Sequence, residues 1–94
     1  MKVIGTEKIA EFVQKHADSQ DWMRAWLAEA QSGEWRSPDD IKAKYVSASI
    51  LGNNRVIFNV KGNNYRMEIQ VSYKNKVLVI KRIGTHAEYN RWDK

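Results

Sequence analysis

Apolar residues in the first third of the chain recur at the spacing of an α-helix. Ile9, Phe12 and Val13 lie on one face of a predicted first helix. Asp18 or Ser19 can cap a second helix. The apolar stripe of this second helix consists of Trp22, Trp26 and Ala30. We expect the two indole rings to pack in the core under a sheet, because tryptophan pairs at this spacing favour burial.

A third helix is predicted shortly after the second one ends. Gly33 is a typical residue just beyond a helix C-terminus. Ser37, followed by Pro38 and two aspartates, combines a capping residue, a proline at the first helical position and acids in the first turn. This third helix should be short and end near Tyr45.

From residue 55 onward the pattern becomes that of β-strands. Residues 55–60 are apolar enough for a strand, and Lys-Gly-Asn-Asn at 61–64 supplies a turn. Residues 65–73 alternate between apolar and polar side chains, and a second turn at 74–76 leads into a strand over 77–83. Three consecutive strands joined by short turns predict an antiparallel meander. N-terminal helices packed on such a C-terminal sheet make an α+β fold.

The alternation of the middle strand separates its two faces. The apolar face should pack against the helices. The other face includes Arg66 and Gln70, and we expect it to line an open polar surface. An arginine at this position is suited to bind an anion, but an exposed ion pair of Arg66 with Glu68 or a neighbour fits the pattern equally well.

Composition limits the class of protein. The chain has 94 residues and no cysteine, so we expect one domain over residues 1–94, without disulfides, thiolate zinc ligands or a cysteine nucleophile. Two distant histidines make a weak metal site. No apolar run is long enough to span a bilayer, and the N-terminus does not resemble a signal peptide. The sequence therefore indicates a cytoplasmic protein with no membrane partner.

The surplus of positive charge lies in the second half of the chain. The net charge is +5, and between residues 42 and 82 nine lysines and arginines accompany a single acid, Glu68. A basic surface of this kind can bind RNA or phosphate, although a merely soluble basic surface is equally consistent with the charge. The candidate RNA contacts are Lys42, Lys44, Lys61, Lys74, Lys76 and Arg82.

Residues 81–90 gather more reactive side chains than any other stretch of the chain. Lys81 and Arg82 follow an apolar strand, and His86 and Tyr89 come after a Gly-Thr pair. Because His86 and Tyr89 are three residues apart, they share one face of a helical turn. Imidazole can take or give a proton near neutral pH. The stretch therefore predicts a site for proton transfer beside a polyanion.

Two segments of the chain resemble a known protein family. Asn-Val-Lys-Gly-Asn-Asn-Tyr-Arg at 59–66, followed by Gly-Thr-His-Ala-Glu-Tyr at 84–89, is similar to the HigB-type toxins of bacterial toxin–antitoxin pairs, which belong to the RelE-like group of mRNA interferases. The resemblance extends over about residues 37–90. It implies a small helix-plus-sheet fold, ribosome-dependent cleavage of mRNA without a metal or cofactor, and inhibition by a helix-turn-helix antitoxin.

The resemblance also implies roles for individual residues. The catalytic positions are Arg66, Lys81, His86 and Tyr89, and the supporting positions are Thr85, Glu88 and Asn90. Glu88 is expected to support a neighbour or the helical turn. The family usually has aspartate where this chain has Asn90. An amide can accept a hydrogen bond, but it cannot support a nearby positive charge as a carboxylate does.

These residue types suit cleavage through the 2′-hydroxyl of the RNA. That reaction needs a base for the hydroxyl, cations for the charge that develops on the phosphate, and an acid for the leaving oxygen. His86 can be the base or the acid, and Arg66 and Lys81 can stabilise the phosphate charge. Tyr89 can stack on a base or donate a proton.

Two other functions remain open, and Asn90 most favours the one in which a toxin homologue has lost its activity and only binds a partner. One is a non-catalytic module that binds RNA or the ribosome, and the other is a homologue that only binds an antitoxin. Three aromatic residues outside these segments are less informative. His16 is most simply a surface residue, whereas Trp35 and Trp92 occupy positions where stacking or partner contact is possible.

Overall fold

The computed structural model describes residues 1–92, which form four α-helices and five β-strands. The strands are β1 (Lys2–Ile4), β2 (Ser49–Leu51), β3 (Arg55–Val60), β4 (Tyr65–Ser72) and β5 (Val77–Thr85). The helices are α1 (Thr6–Lys15), α2 (Gln20–Ser32), α3 (Pro38–Lys44) and α4 (His86–Tyr89), with a 3-10 turn (Ala17–Ser19) between α1 and α2. The predicted α+β fold is confirmed.

The strands form one sheet in the order β1-β5-β4-β3-β2. The predicted meander is its centre, since β3 pairs with β4 and β4 pairs with β5 in antiparallel register. The sheet is larger than predicted and mixed, because β1 pairs in parallel with β5 and β2 adds an antiparallel edge. Both additional strands are three residues long, which is too short for a recognisable alternation.

Helices α1, α2 and α3 cover one face of the sheet. Phe58 lies in the centre of this core, with its ring centroid 5.5 Å from that of Trp26 on α2. On α1, Phe12 contacts Tyr65 of β4 edge to face at 5.1 Å. Trp35 is also buried and stacks on Phe58 at 6.3 Å. Trp26 and Trp35 are therefore core residues, and the partner contact considered for Trp35 is wrong. Trp22, predicted to share the core with Trp26, is only partly buried and packs on Tyr45 with ring centroids 5.9 Å apart.

The helix boundaries follow the local signals closely. Helix α2 ends before Gly33, whose N–H donates to the carbonyl of Glu29. Helix α3 begins at Pro38, after an extended Ser37, and ends before Tyr45. Within residues 1–92 no helix is both long enough and apolar enough to cross a bilayer.

A bulge in β5 determines which of its basic residues faces the site. Glu68 of β4 pairs with Arg82, whereas the next residue of β4, Ile69, pairs with Ile80. Lys81 is therefore the extra residue of the bulge. Cross-strand partners lie on the same face of a sheet, so Arg82 shares the face of Glu68. Such irregularities commonly redirect a side chain near a functional site.

Candidate active site

The site is built where β5 ends and α4 begins. The N–H of Glu88 donates to Thr85 Oγ1 at 3.2 Å, and the N–H of Thr85 donates to Glu88 Oε1 at 2.8 Å. This capping box fixes the first turn of the helix. The bond from the Thr85 backbone holds the pKa of Glu88 below its ordinary value, and nearby His16 and Lys15 act in the same direction. Thr85 and Glu88 thus support the turn.

Three of the four predicted catalytic side chains come together beside this turn. The rings of His86 and Tyr89 have centroids 6.3 Å apart. The guanidinium carbon of Arg66 lies 5.0 Å from the Tyr89 centroid, within range of a cation–π contact. The Arg66 Nη1 donates to the carbonyls of Asn63 and Tyr65 at 3.0 and 3.1 Å. The imidazole and the guanidinium therefore flank the same phenol ring.

The face that contains Arg66 is more covered than the sequence indicates. Arg66 is 8% exposed and Glu68 is 4% exposed, so the predicted open polar surface is wrong at these positions. The phenol ring of Tyr89 covers Arg66. An ion pair between Arg66 and Glu68 is also absent within residues 1–92. Glu68 instead accepts hydrogen bonds from Arg55 Nε at 2.9 Å and Arg82 Nε at 2.8 Å.

Trp92 continues the aromatic surface beyond α4. Its ring lies 5.5 Å from that of Tyr89, edge to face. The guanidinium carbon of Arg82 lies 4.5 Å from the Trp92 ring centroid. Gly84 makes this packing possible, since a Cβ there would lie 3.0 Å from Trp92 Cζ2. Trp92 therefore packs on the sheet beside the site.

Lys81 and Asn90 are not engaged with these side chains. Lys81 is exposed in the bulge, and within residues 1–92 its ammonium forms no hydrogen bond or ion pair. The N–H of Asn90 donates to the carbonyl of His86 at 3.1 Å. The side chain of Asn90 is exposed and forms no hydrogen bond within the described part of the chain. The side-chain amide of Asn90 therefore does not support His86 through a hydrogen bond.

Comparison with known proteins identifies the family. A model of the HigB toxin family, the RelE-like toxic component of a toxin-antitoxin system, matches residues 19–92. The chain belongs to this family. A comparison with curated proteins gave no match. Membership confirms the resemblance seen in residues 59–66 and 84–89, and it implies an antitoxin partner.

In this HigB family member the predicted RNA contacts are spread over the molecule. Lys61 lies in the β3–β4 turn, near the start of β4 and the site, where it pairs with Asp18 at 3.5 Å. Lys74 and Lys76 lie in the β4–β5 turn at the other end of β4, about 26 Å away for eight residues at ~3.3 Å each. These two lysines cannot contact the same nucleotide as His86.

The two lysines of α3 differ from each other. Lys42 donates to the carbonyl of Ala48 and so ties α3 to the segment that leads into β2. Lys44 is exposed. Within residues 1–92, no group of three or more His, Asp or Glu side chains is arranged to hold a metal ion.

No local pattern in the sequence indicates the surroundings of His16. Its ring lies 4.6 Å from that of Phe12 and 5.0 Å from that of Tyr65, so this half-buried surface residue also packs on two aromatic rings. Tyr65 donates to Asp18 at 2.6 Å, and this bond lowers the pKa of Asp18. These contacts join the end of α1 and the following 3-10 turn to the start of β4.

Proposed function

We propose that this protein is the toxin of a type II toxin–antitoxin pair and that it is a ribosome-dependent endoribonuclease of mRNA. The proposal rests on one observation: the Tyr89 ring lies 6.3 Å from the His86 ring and 5.0 Å from the Arg66 guanidinium. A proton-transfer group, a phenol and a cation are thereby grouped at one end of the sheet. Membership of the HigB toxin family supports the toxin role.

The proposed reaction uses the 2′-hydroxyl of the substrate as the nucleophile. The 2′-oxygen attacks the adjacent phosphorus, and the bond from phosphorus to the 5′-oxygen breaks. The products are a 2′,3′-cyclic phosphate and a 5′-hydroxyl. His86 takes the proton from the 2′-hydroxyl or gives one to the 5′-oxygen. Tyr89 serves as the other proton-transfer group or as a stacking surface for a base.

Arg66 is the proposed binding group for the reacting phosphate. Both of its hydrogen bonds to carbonyl oxygens use Nη1, so Nε and Nη2 are the donors proposed for the phosphate oxygens. A guanidinium held in place stabilises developing negative charge without reorganising during the reaction. Lys81, exposed on the neighbouring strand, adds positive charge nearby. This reaction uses no cofactor.

The remaining basic residues are proposed to hold the toxin on the ribosome. The net charge of +5 favours binding to RNA phosphates. Lys61 and Arg82 are the contacts nearest to the reacting nucleotide, whereas Lys42, Lys44, Lys74 and Lys76 would contact ribosomal RNA or more distant mRNA. The proposed antitoxin has a helix-turn-helix domain and inhibits this activity.

Primer extension on translated mRNA tests the proposed function. Cells that express the protein should show cuts in phase with codons, and growth arrest should be relieved by co-expression of the adjacent reading frame. His86→Ala should lower cleavage by about 10²–10⁴-fold, and Tyr89→Phe should also lower it, with ribosome binding nearly unchanged. Gln14→Ala, an exposed change on α1, is the control and should cut normally. Undiminished cutting by His86→Ala would rule out this site.

A second candidate function is a non-catalytic homologue that binds RNA, the ribosome or an antitoxin. It is favoured by the positions of Lys81 and Asn90, since neither side chain contacts His86 through a hydrogen bond within residues 1–92. The same experiment separates the two functions. Ribosome binding without cuts supports the RNA-binding homologue. Antitoxin binding without any RNA interaction supports the other homologue.

A further inference from the structure

The face of the sheet opposite helices α1, α2 and α3 has arginines on three neighbouring strands. We call it the charged face, and its charged residues are Arg55, Arg66, Glu68 and Arg82. Arg55 of β3 pairs with Gln70, and Arg82 of β5 pairs with Glu68. Arg66 lies two residues before Glu68 on β4. Because cross-strand partners and alternate residues lie on the same face, all three guanidinium groups project from the face opposite the helical core.

Glu68 holds two of these arginines at once. Its Oε2 accepts from Arg55 Nε and its Oε1 accepts from Arg82 Nε, at 2.9 and 2.8 Å. A guanidinium has five N–H donors, and each of these contacts uses the inner one. The carboxylate is buried, while both arginines remain partly exposed. Glu68 therefore fixes the orientation of two guanidinium groups that solvent can reach.

Arg66 has no acidic partner within residues 1–92, because the carboxylate of Glu68 binds Arg55 and Arg82 instead. A buried ion pair is weak evidence of a stabilising role, since desolvation of the charges offsets much of their attraction. The arrangement is therefore better explained by the binding of an anion than by a contribution to stability.

The arginine pair is continuous with the candidate active site. Arg66 contacts the ring of Tyr89, that ring contacts Trp92, and Trp92 contacts Arg82. Two neighbouring aromatic rings, 5.5 Å apart, thus each stack on an arginine of the same face. A chain of phosphates that passes Arg66 would reach Arg82 and Arg55 next.

We propose that Arg55 and Arg82, oriented by Glu68, form a second phosphate-binding subsite for the RNA strand, beside the subsite of Arg66. The subsite rests on the proposed function, since it belongs to the same RNA site. It binds the backbone phosphate next to the reacting one. Glu68 is a positioning residue and does not itself contact the RNA.

Charge-preserving substitutions test whether the guanidinium geometry matters. In Arg55→Lys and Arg82→Lys the charge stays but the planar fork of donors is lost. We expect about 3- to 10-fold weaker binding of a short single-stranded oligoribonucleotide with 2′-O-methyl riboses, measured by fluorescence anisotropy. On mRNA-programmed ribosomes KM should rise while kcat is retained. Arg36→Lys, in an exposed pair with Glu34 elsewhere, is the matched control and should bind normally.

These measurements separate a failure of the proposed Arg55–Arg82 subsite from a failure of the proposed nuclease function. Unchanged RNA binding in Arg55→Lys and Arg82→Lys overturns the subsite, even if His86→Ala abolishes cleavage and so upholds the function. If the unmodified protein cuts no mRNA, the nuclease function fails. The subsite then still stands or falls on binding of the 2′-O-methyl oligoribonucleotide.

Whether Glu68→Gln strengthens or weakens RNA binding is a second test. This change raises the net charge by one, so it should tighten RNA binding if Glu68 only neutralises charge. A positioning residue predicts the opposite, because the two guanidinium groups lose their anchor. We expect weaker binding, and tighter binding would overturn the role of Glu68. Circular dichroism checks that the variant folds, and if it does not, the lysine substitutions decide.

Discussion

In residues 1–92, one face of the sheet is covered by three helices and the other by α4 and the ring of Trp92. The helix-covered face is apolar, and its central residues, such as Phe58 and Met67, are completely buried. The charged face contains Arg66 and Glu68, which are also buried but by a few specific contacts. Arg66 and Glu68 therefore reach the burial of core residues by different means, whereas Arg55 and Arg82 beside them stay partly exposed.

The two faces differ in the kind of contact that buries them, and this difference separates the residues that stabilise the fold from those proposed for function. Burial of apolar area stabilises a fold by roughly 25 cal/mol per Å² and tolerates small displacements. Hydrogen bonds and ion pairs depend on exact partners, and a buried polar group that loses its partner is costly. The charged face is therefore the more sensitive to small shifts, and it holds the groups proposed for chemistry.

Phe58→Ala should show the largest effect, on the helix-covered face. Its ring contacts those of Trp26, Trp35 and Tyr45. Removing it leaves a cavity, so the free energy of unfolding should fall by about 3–5 kcal/mol in urea titrations. Val46 is exposed, and Val46→Ala should change the free energy of unfolding by less than ~0.5 kcal/mol. A similar loss in both variants would contradict the assignment of the core.

The helix-covered face is the part of the molecule that the sequence predicted well. Apolar residues at helical spacing in α1 and α2, and alternation along β4, identify the side chains that meet in the core. The turn residues at 61–64 set the boundary between β3 and β4. These signals are local, since each depends on residues a few positions apart.

The charged face was predicted less well because its contacts are not local. His86, Tyr89 and Arg66 could be grouped from the family resemblance, but not the cover that Tyr89 provides for Arg66. Arg55 was not identified as a site residue. Its link to Arg82 through Glu68 depends on the register of three strands and on the bulge at Lys81. The pattern of apolar and polar residues along one strand does not show how that strand pairs with its neighbours.

Gly84→Ala should disturb the charged face and leave the helix-covered face intact. The added Cβ would lie 3.0 Å from Trp92 Cζ2 and 3.1 Å from Glu88 Cβ. We expect α4 and Trp92 to shift outward, with about 1–3 kcal/mol lost from the free energy of unfolding. A displacement of His86 by about 1 Å should lower mRNA cleavage by about 10²-fold. Thermal unfolding and primer extension measure the two effects.

Gly52→Ala is the matched control for this substitution. Nothing lies within 4 Å of the Cβ that it adds, so both cleavage and stability should stay near those of the unmodified protein. If Gly84→Ala cut mRNA as efficiently as Gly52→Ala, close packing of α4 on β5 would not be needed for activity.

Glu88→Gln should show the smallest effect, and that effect should depend on pH. Glutamine can keep the capping box without the charge. The pKa of Glu88 is lowered in the folded protein by the hydrogen bond from the Thr85 backbone. A lowered pKa means that the charged form adds stability above the unfolded-state pKa, ordinarily 4.5, and that this stability is lost as the pH falls through the folded-state pKa.

At pH 7 the unmodified protein should therefore unfold at a slightly higher temperature than Glu88→Gln. The difference in the free energy of unfolding should be less than ~1 kcal/mol, because the group is exposed. Below the folded-state pKa the two unfolding temperatures should converge, since protonated Glu88 then carries no charge either. Thermal unfolding of both variants from pH 7 to pH 3 measures this convergence. A difference that persists unchanged at acid pH would mean that the carboxylate charge does not stabilise α4, and that the capping bonds alone hold the helix that presents His86 and Tyr89.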